Sequence, residues 1–344
     1  MINTGSVRDL PTYNDSINVL LTGITGFVGH HVFAHLMQHT AWNVVGMYRN
    51  SVAGDFRRID EILSTHPEWS DRLTMFHHDL RDPIYPRIRR SLPPLDVVLH
   101  VGANSHVDRS ISDPMSFVKD NVLGTLHLLQ TCRMRTPDLF VYFSTDEVFG
   151  NAPDGVDHTE EFPHRPRNPY AASKAAAEDF CYAYQVTYDI PLVVTNTMNI
   201  IGERQDPEKY VPKIMNHVLR GETVSIHSHP DRVRAGQRHY LHARNAAAAL
   251  LFVIQHGVVG ERYNVVGEEE IDNLTLARLV HEYMDTDLPL HYELVDFHTS
   301  RPGHDLRYSL DDSRLRGLGY QHPVSFRDSL RTSVEWTMNN QRWL

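Results

Sequence analysis

The chain has 344 residues, 41% of them hydrophobic and 22% charged, a balance that suits one large globular domain or two smaller ones. Its net charge of -10 disfavours nucleic acid and anionic membrane as partners, because both reward clustered Lys and Arg. The longest apolar run, Ala246 to Ile254, is too short to span a bilayer, and the polar start from Met1 to Ser16 carries no signal-like apolar region, so a cytoplasmic protein is expected.

In chain order, short apolar runs alternate with helical patterns. Strands are expected at Ile17 to Leu21, Val44 to Met47, Leu73 to Phe76, Val97 to Val101, Leu139 to Ser144 and Leu192 to Thr195. Helices are expected at Val28 to Gln38, Phe117 to Arg133, Pro169 to Thr187, Val211 to Arg220 and Ala243 to His256. Continuous rather than alternating apolar strands imply a parallel sheet covered on both faces. The fold class is therefore α/β, a Rossmann-type doubly wound parallel sheet. A smaller C-terminal α/β lobe follows, with a helix at Leu274 to Asp285, a strand at Tyr292 to Val295, a loop at Arg301 to His304 and a last helix at Phe326 to Asn339. The expected boundaries are a tail at 1–16, a dinucleotide domain at 17–198 and 237–263, and a substrate lobe at 199–236 and 264–344.

Gly23, Thr25, Gly26, Phe27, Val28 and Gly29 form a glycine-rich turn between the first strand and helix. The glycines allow a tight turn, close backbone approach to a pyrophosphate, and helix–strand packing. An acid at the end of the second strand would read a ribose 2′-hydroxyl, but Tyr48 and Arg49 stand there, with Arg57 and Arg58 beyond. A guanidinium suits a 2′-phosphate, which favours NADP over NAD. Asp79, followed by Leu80, is placed to accept from the adenine amino group.

Tyr170 and Lys174 lie four apart on one helix face, where an ammonium would lower the phenol pKa and make a base. The fifth strand ends in Ser144-Thr145-Asp146-Glu147-Val148-Phe149-Gly150. Two adjacent carboxyls after an apolar strand suit one acid and one base. The two cysteines, Cys132 and Cys181, read as buried thiols, and the 23 histidines show no metal-ligand spacing, so no metal is expected.

These motifs resemble the extended short-chain dehydrogenase/reductase family, and within it the nucleotide-sugar 4,6-dehydratases. The strand-end motif is most similar to dTDP-glucose 4,6-dehydratases, and the segment around Arg49 to GDP-mannose 4,6-dehydratases. Further similar stretches run from Ser105 to Ser110, Asp206 to Lys209 and Arg301 to Tyr308. The resemblance implies conversion of a nucleoside-diphosphate hexose, dTDP- or UDP-glucose, to the 4-keto-6-deoxy sugar. Tyr170, held by Lys174, would take the C4 hydroxyl proton and Thr145 would bond the C4 oxygen. Glu147 would remove the C5 proton and Asp146 would protonate the departing C6 hydroxyl. It also implies substrate contacts from Ser105, His106, Asn196, Asn199, Lys209, Arg238, Asn273, Arg301 and Tyr308. A homodimer through a four-helix contact of Phe117–Arg133 and Pro169–Thr187 is implied as well.

Two rival readings remain. A 4-epimerase on this scaffold would leave Asp146 and Glu147 idle, and a decarboxylase would have Asp146 repel its C6 carboxylate. A non-catalytic NADP sensor would not need both Tyr170 and Lys174.

Overall fold

Strands without a polar face must be covered on both sides, and the computed structural model, which describes residues 17–50, 54–296, 303 and 305–344, covers them so. The strands are β1 (Asn18–Thr22), β2 (Asn43–Tyr48), β3 (Leu73–His77), β4 (Val97–His100), β5 (Leu139–Thr145), β6 (Leu192–Thr197), β7 (Asn199–Ile201), β8 (Val224–His227), β9 (Gln237–His242), β10 (Arg262–Val265), β11 (Glu270–Asp272) and β12 (Tyr292–Val295). Seven form one all-parallel sheet in the order β10-β6-β5-β4-β1-β2-β3. The order reverses between β1 and β4, and ligands of such sheets bind in the crevice beyond that switch point.

One face of the sheet is sealed by helices Phe27–His39 and Ala243–His256, whose Phe33, Leu36, Ala246 and Leu250 pack with Val19, Leu21 and Val97. The other is sealed by Gly124–Met134 and Pro169–Tyr188, through Leu128, Leu129, Cys132, Ala177 and Cys181. Both cysteines are buried free thiols, as expected. The smaller lobe holds the sheets β11-β9-β7 and β12-β8 and its own core of Ile214, Ile226, Leu276, Val280, Leu330 and Val334. Within 237–263, β9 pairs in the small sheet, whereas β10 completes the large one.

The helix expected at Phe117–Arg133 begins earlier and is uneven. Pro114–Phe117 is α-helical, Val118–Leu123 is π-helical, and Gly124–Met134 is α-helical again. A π turn inserts one residue per turn and often marks a functional site. The expected tail 1–16 and Arg301 lie outside the described residues. Among the described residues, no helix is long and apolar enough to cross a membrane.

Candidate active site

A cavity of about 470 Å³ opens at the carboxyl ends of β1, β2, β4 and β5. Its floor is the glycine turn. Gly23 has φ +71°, and a Cβ there would lie 2.6 Å from Gly102 Cα. A Cβ on Gly29 would lie 2.1 Å from Gly23 O, so turn and helix touch backbone to backbone. Gly26 caps the helix Phe27–His39 with no side chain, leaving its first N–H groups to the cavity. Thr25, Phe27 and Val28 line the same wall. Bare amide donors at a helix N-terminus in a backbone-tight cradle fit the pyrophosphate of a dinucleotide.

At the adenosine end, Asp79 and Leu80 line the cavity as expected. Arg49 lines it too, but its guanidinium is engaged. Nη1 and Nη2 meet the two carboxylate oxygens of Asp120 at 2.6 and 2.9 Å.

The carboxyls expected to carry the chemistry sit at the end of β5. Thr145 caps a single 3-10 turn, Asp146–Phe149, accepting from Glu147 N, and so fixes where both carboxyls emerge. Thr145 Oγ1 also donates to Asp146 Oδ1 at 2.9 Å, while Asp146 Oδ2 is buried with no hydrogen-bond partner. Burial, and next the charge of Glu147, push the Asp146 carboxyl up to about 7, so it keeps its proton into the neutral range. Glu147 Oε2 accepts from Asn168 Nδ2 at 2.9 Å, and the Tyr308 hydroxyl approaches it at 3.4 Å. Two adjacent carboxyls thus have different surroundings, one buried with a single donor and a partnerless second oxygen, the other fed by two donors.

Tyr170 and Lys174 line the cavity beside them, one helical turn apart. The expected lowering of the Tyr170 phenol is not found. Burial pushes it well up, with Glu147 adding to the rise, and Lys174 Nζ donates instead to Phe143 O at 2.7 Å, over the Tyr142 ring. The cost of a buried phenolate outweighs any help from an ammonium that points elsewhere. Lys174 itself is lowered to about 8, mainly by burial.

This chain is similar to several chains of known kind. The profile of the GDP-mannose 4,6 dehydratase family matches residues 20–333. The dTDP-glucose 4,6-dehydratase 1 of Escherichia coli K12 is 33% identical, with 95% of this chain and 94% of that one covered. The low-salt glycan biosynthesis protein Agl12 of Haloferax volcanii is 33% identical over 94% of this chain and 99% of its own. The solved dTDP-glucose 4,6-dehydratase of Streptomyces venezuelae, with NAD bound, superposes with a TM-score of 0.85 at 33% identity, covering 95% of this chain and 98% of that one. The chain belongs to the GDP-mannose 4,6 dehydratase family.

For this family member, the residues expected at the substrate divide into two layers. Ser105, His106, Asn199 and Lys209 line the cavity. His106 and Arg109 both pair with Glu208, at 2.9 and 2.7 Å, and Lys209 Nζ reaches Ser105 O. Asn196, Arg238, Asn273 and Tyr308 do not line it. Asn196 turns inward to Thr145 O and Glu178 Oε2 and braces the end of β5. Asn273 stands behind the cavity-lining Tyr240 and Tyr210, accepting from both hydroxyls at 2.8 Å. Arg238 lies over the Tyr308 ring and donates to Asp305 O. Strand-end position told which residues come near, but not which face each presents.

Four participants escaped the sequence reading. Asn168 was findable, because Asn before Pro169 is an N-cap signal, and it caps the helix through Ala171 N. Asp305 sat in the similar stretch without a role. It is buried, paired with Arg167 at 2.7 Å, and pushed up to about 6 chiefly by burial. Glu178, one turn beyond Lys174, is buried among Ser144, His164, Arg262 and Asn196. Asp120 gave no local signal at all.

Proposed function

We propose that this chain is a nucleotide-sugar 4,6-dehydratase that converts a nucleoside-diphosphate hexose, dTDP-glucose first among candidates, to the 4-keto-6-deoxy sugar nucleotide. The observation that carries this reading is the Asp146/Glu147 pair, adjacent in sequence and held in different surroundings beside Tyr170. A nicotinamide dinucleotide, NAD or NADP, held by Gly23, Gly26, Gly29 and Lys174, would supply the hydride acceptor and donor, and its positive nicotinamide would favour a phenolate at Tyr170.

Tyr170 takes the C4 hydroxyl proton, and Thr145 bonds the C4 oxygen. The resulting C4 ketone acidifies the C5 proton. Glu147, steadied by Asn168 and Tyr308, removes that proton. Asp146, protonated below about 7, donates to the C6 hydroxyl, which leaves as water. C5 then regains a proton as C6 is reduced. Ser105, His106, Asn199 and Lys209 bind sugar and diphosphate directly, and Arg238, Asn273 and Tyr308 support them from behind.

Epimerases share the scaffold: a UDP-glucose 4-epimerase of Thermus thermophilus aligns with a TM-score of 0.79 at 27% identity. An epimerase has no use for a protonated acid and a neighbouring base beyond C4, so the pair favours dehydration. The test is incubation with dTDP-, UDP- and GDP-hexoses, with Tyr170→Phe as control, reading loss of one water by mass spectrometry. Conversion of none of them, or conversion without loss of mass, overturns the reading.

The chain also acts as a homodimer in a cytoplasmic setting on this proposal. Val118, Leu123, Phe180, Tyr182 and Val186 leave apolar side chains exposed along the helices named for the four-helix contact.

A further inference from the structure

Glu178 stands one helical turn beyond Lys174 with its side chain only 1% exposed, and it does not line the cavity. Four donors from four separate segments meet its carboxyl. Ser144 Oγ on β5 and Asn196 Nδ2 on β6 donate to Oε2 at 2.6 and 3.1 Å. Arg262 Nε, at the start of β10, and His164 Nε2, in the loop before the helix Pro169–Tyr188, reach Oε1 at 2.8 and 3.3 Å. Burial pushes the carboxyl up, but His164, Arg262 and Ser144 outweigh it and hold it below its ordinary range. A buried ion of this kind gains little over an apolar side chain of similar volume, so packing alone does not account for it.

Its Oε2 has a directed use. Ser144 precedes Thr145 and is the register partner of Asn196 on the next strand. Asn196 Nδ2 donates to Thr145 O at 3.3 Å as well as to Glu178, while its Oδ1 is buried with no partner. Turned over, that amide would set its oxygen against a carboxylate and a carbonyl at once, so Glu178 fixes which way Asn196 faces. Thr145 Oγ1 in turn accepts from Glu147 N and donates to Asp146 Oδ1.

We infer that Glu178 is a positioning residue for the elimination step: through Asn196 and Ser144 it fixes the Thr145 peptide, and so holds the Thr145 hydroxyl against the Asp146 carboxyl. The inference rests on the proposed dehydratase chemistry and adds to it a residue outside the cavity. The four donors demand a group that accepts on both oxygens, which a carboxylate alone does. Glutamine keeps the shape but must turn its amide nitrogen toward one donor pair. Facing Arg262 and His164 it meets two donors. Facing Ser144 and Asn196 it turns the Asn196 amide away from Thr145 O. Either way the end of β5 loses part of its anchor, and Thr145 Oγ1 loses its fixed line to Asp146.

The test is the pH profile of turnover for the unaltered chain, Glu178→Gln, Asn196→Ala and the double variant. E178Q is expected to lower kcat ~10-fold or more while KM for the sugar nucleotide changes little, because the misplaced groups act in the chemical step. The Thr145 hydrogen bond holds the Asp146 carboxyl lower than burial alone would, so its loss moves the descending limb from about 7 to higher pH. N196A leaves the Glu178 charge in place and is expected to move kcat and the limb in the same directions. The double variant should fall within ~2-fold of N196A, since both changes act on one peptide. A limb that stays in place in N196A, whatever the loss of kcat, overturns the inference, as do losses that multiply in the double variant. If E178Q does not fold, the limb of N196A decides alone. An unaltered chain that converts no nucleoside-diphosphate hexose removes the proposed function and this inference with it, a result distinct from an active chain whose limb does not move.

Discussion

At the residue scale, the proposed chemistry depends on keeping a proton on Asp146. A buried carboxyl with one partnerless oxygen resists ionisation, and the neighbouring Glu147 strengthens the resistance. If Asp146 is the acid, turnover falls as pH rises through about 7. Asp146→Asn is expected to lower kcat by ~10²-fold or more and to remove that limb of the profile. A descending limb that persists in D146N contradicts the assignment. The same burial has a stability cost. An unfolded aspartate ionises near 3.9, whereas the folded one keeps its proton to about 7. Between those values a rising pH favours the unfolded chain, and the penalty is complete above the folded value. It is on the order of 4 kcal/mol. Thermal melting should therefore show D146N gaining on the unaltered protein from pH 4 to pH 7 and no further above. A constant gap across that range would mean the carboxyl is not held protonated.

At the element scale, the helix Pro169–Tyr188 starts beside the paired carboxyls. Asn168 caps its first turn and donates to Glu147, so one side chain fixes both the helix carrying Tyr170 and the carboxyl proposed as the base. Asn168→Ala is expected to cost about 1 kcal/mol of stability through the cap and, separately, to reduce kcat more than KM changes. Asn168→Ser, which keeps a cap oxygen but loses the amide donor, should melt close to the unaltered protein and still lose activity. Full activity in N168S would show that Glu147 does not depend on it. Elements of this kind were legible from sequence where periodicity and caps speak locally: the helix Ala243–His256 and the strand β12 appear within their expected bounds. The π turn at Val118–Leu123 and the strands β7 to β9 were not, since short strands and local rewinding depend on partners distant in the chain.

At the scale of the whole molecule, the parallel sheet and its switch point followed from alternating apolar runs, and the positions of Tyr170, Asp146 and the glycine turn followed with them. Side-chain direction did not follow. Asn196 bracing the end of β5, Lys174 turned to Phe143 O and Asp120 gripping Arg49 are all set by contacts between segments far apart in sequence. Assembly belongs to this scale too. Phe180 and Val186 are exposed on the helix Pro169–Tyr188, so sedimentation should show a dimer that Phe180→Glu with Val186→Glu splits into monomers. A monomeric unaltered protein would contradict the dimer.

The central claim is an internal redox cycle joined to loss of water, and isotope transfer tests it most directly. With dTDP-glucose deuterated at C4, the product is predicted to lack one water and to carry the deuterium at C6. Deuterium lost to solvent, or an epimer of unchanged mass with the label still at C4, would contradict the account.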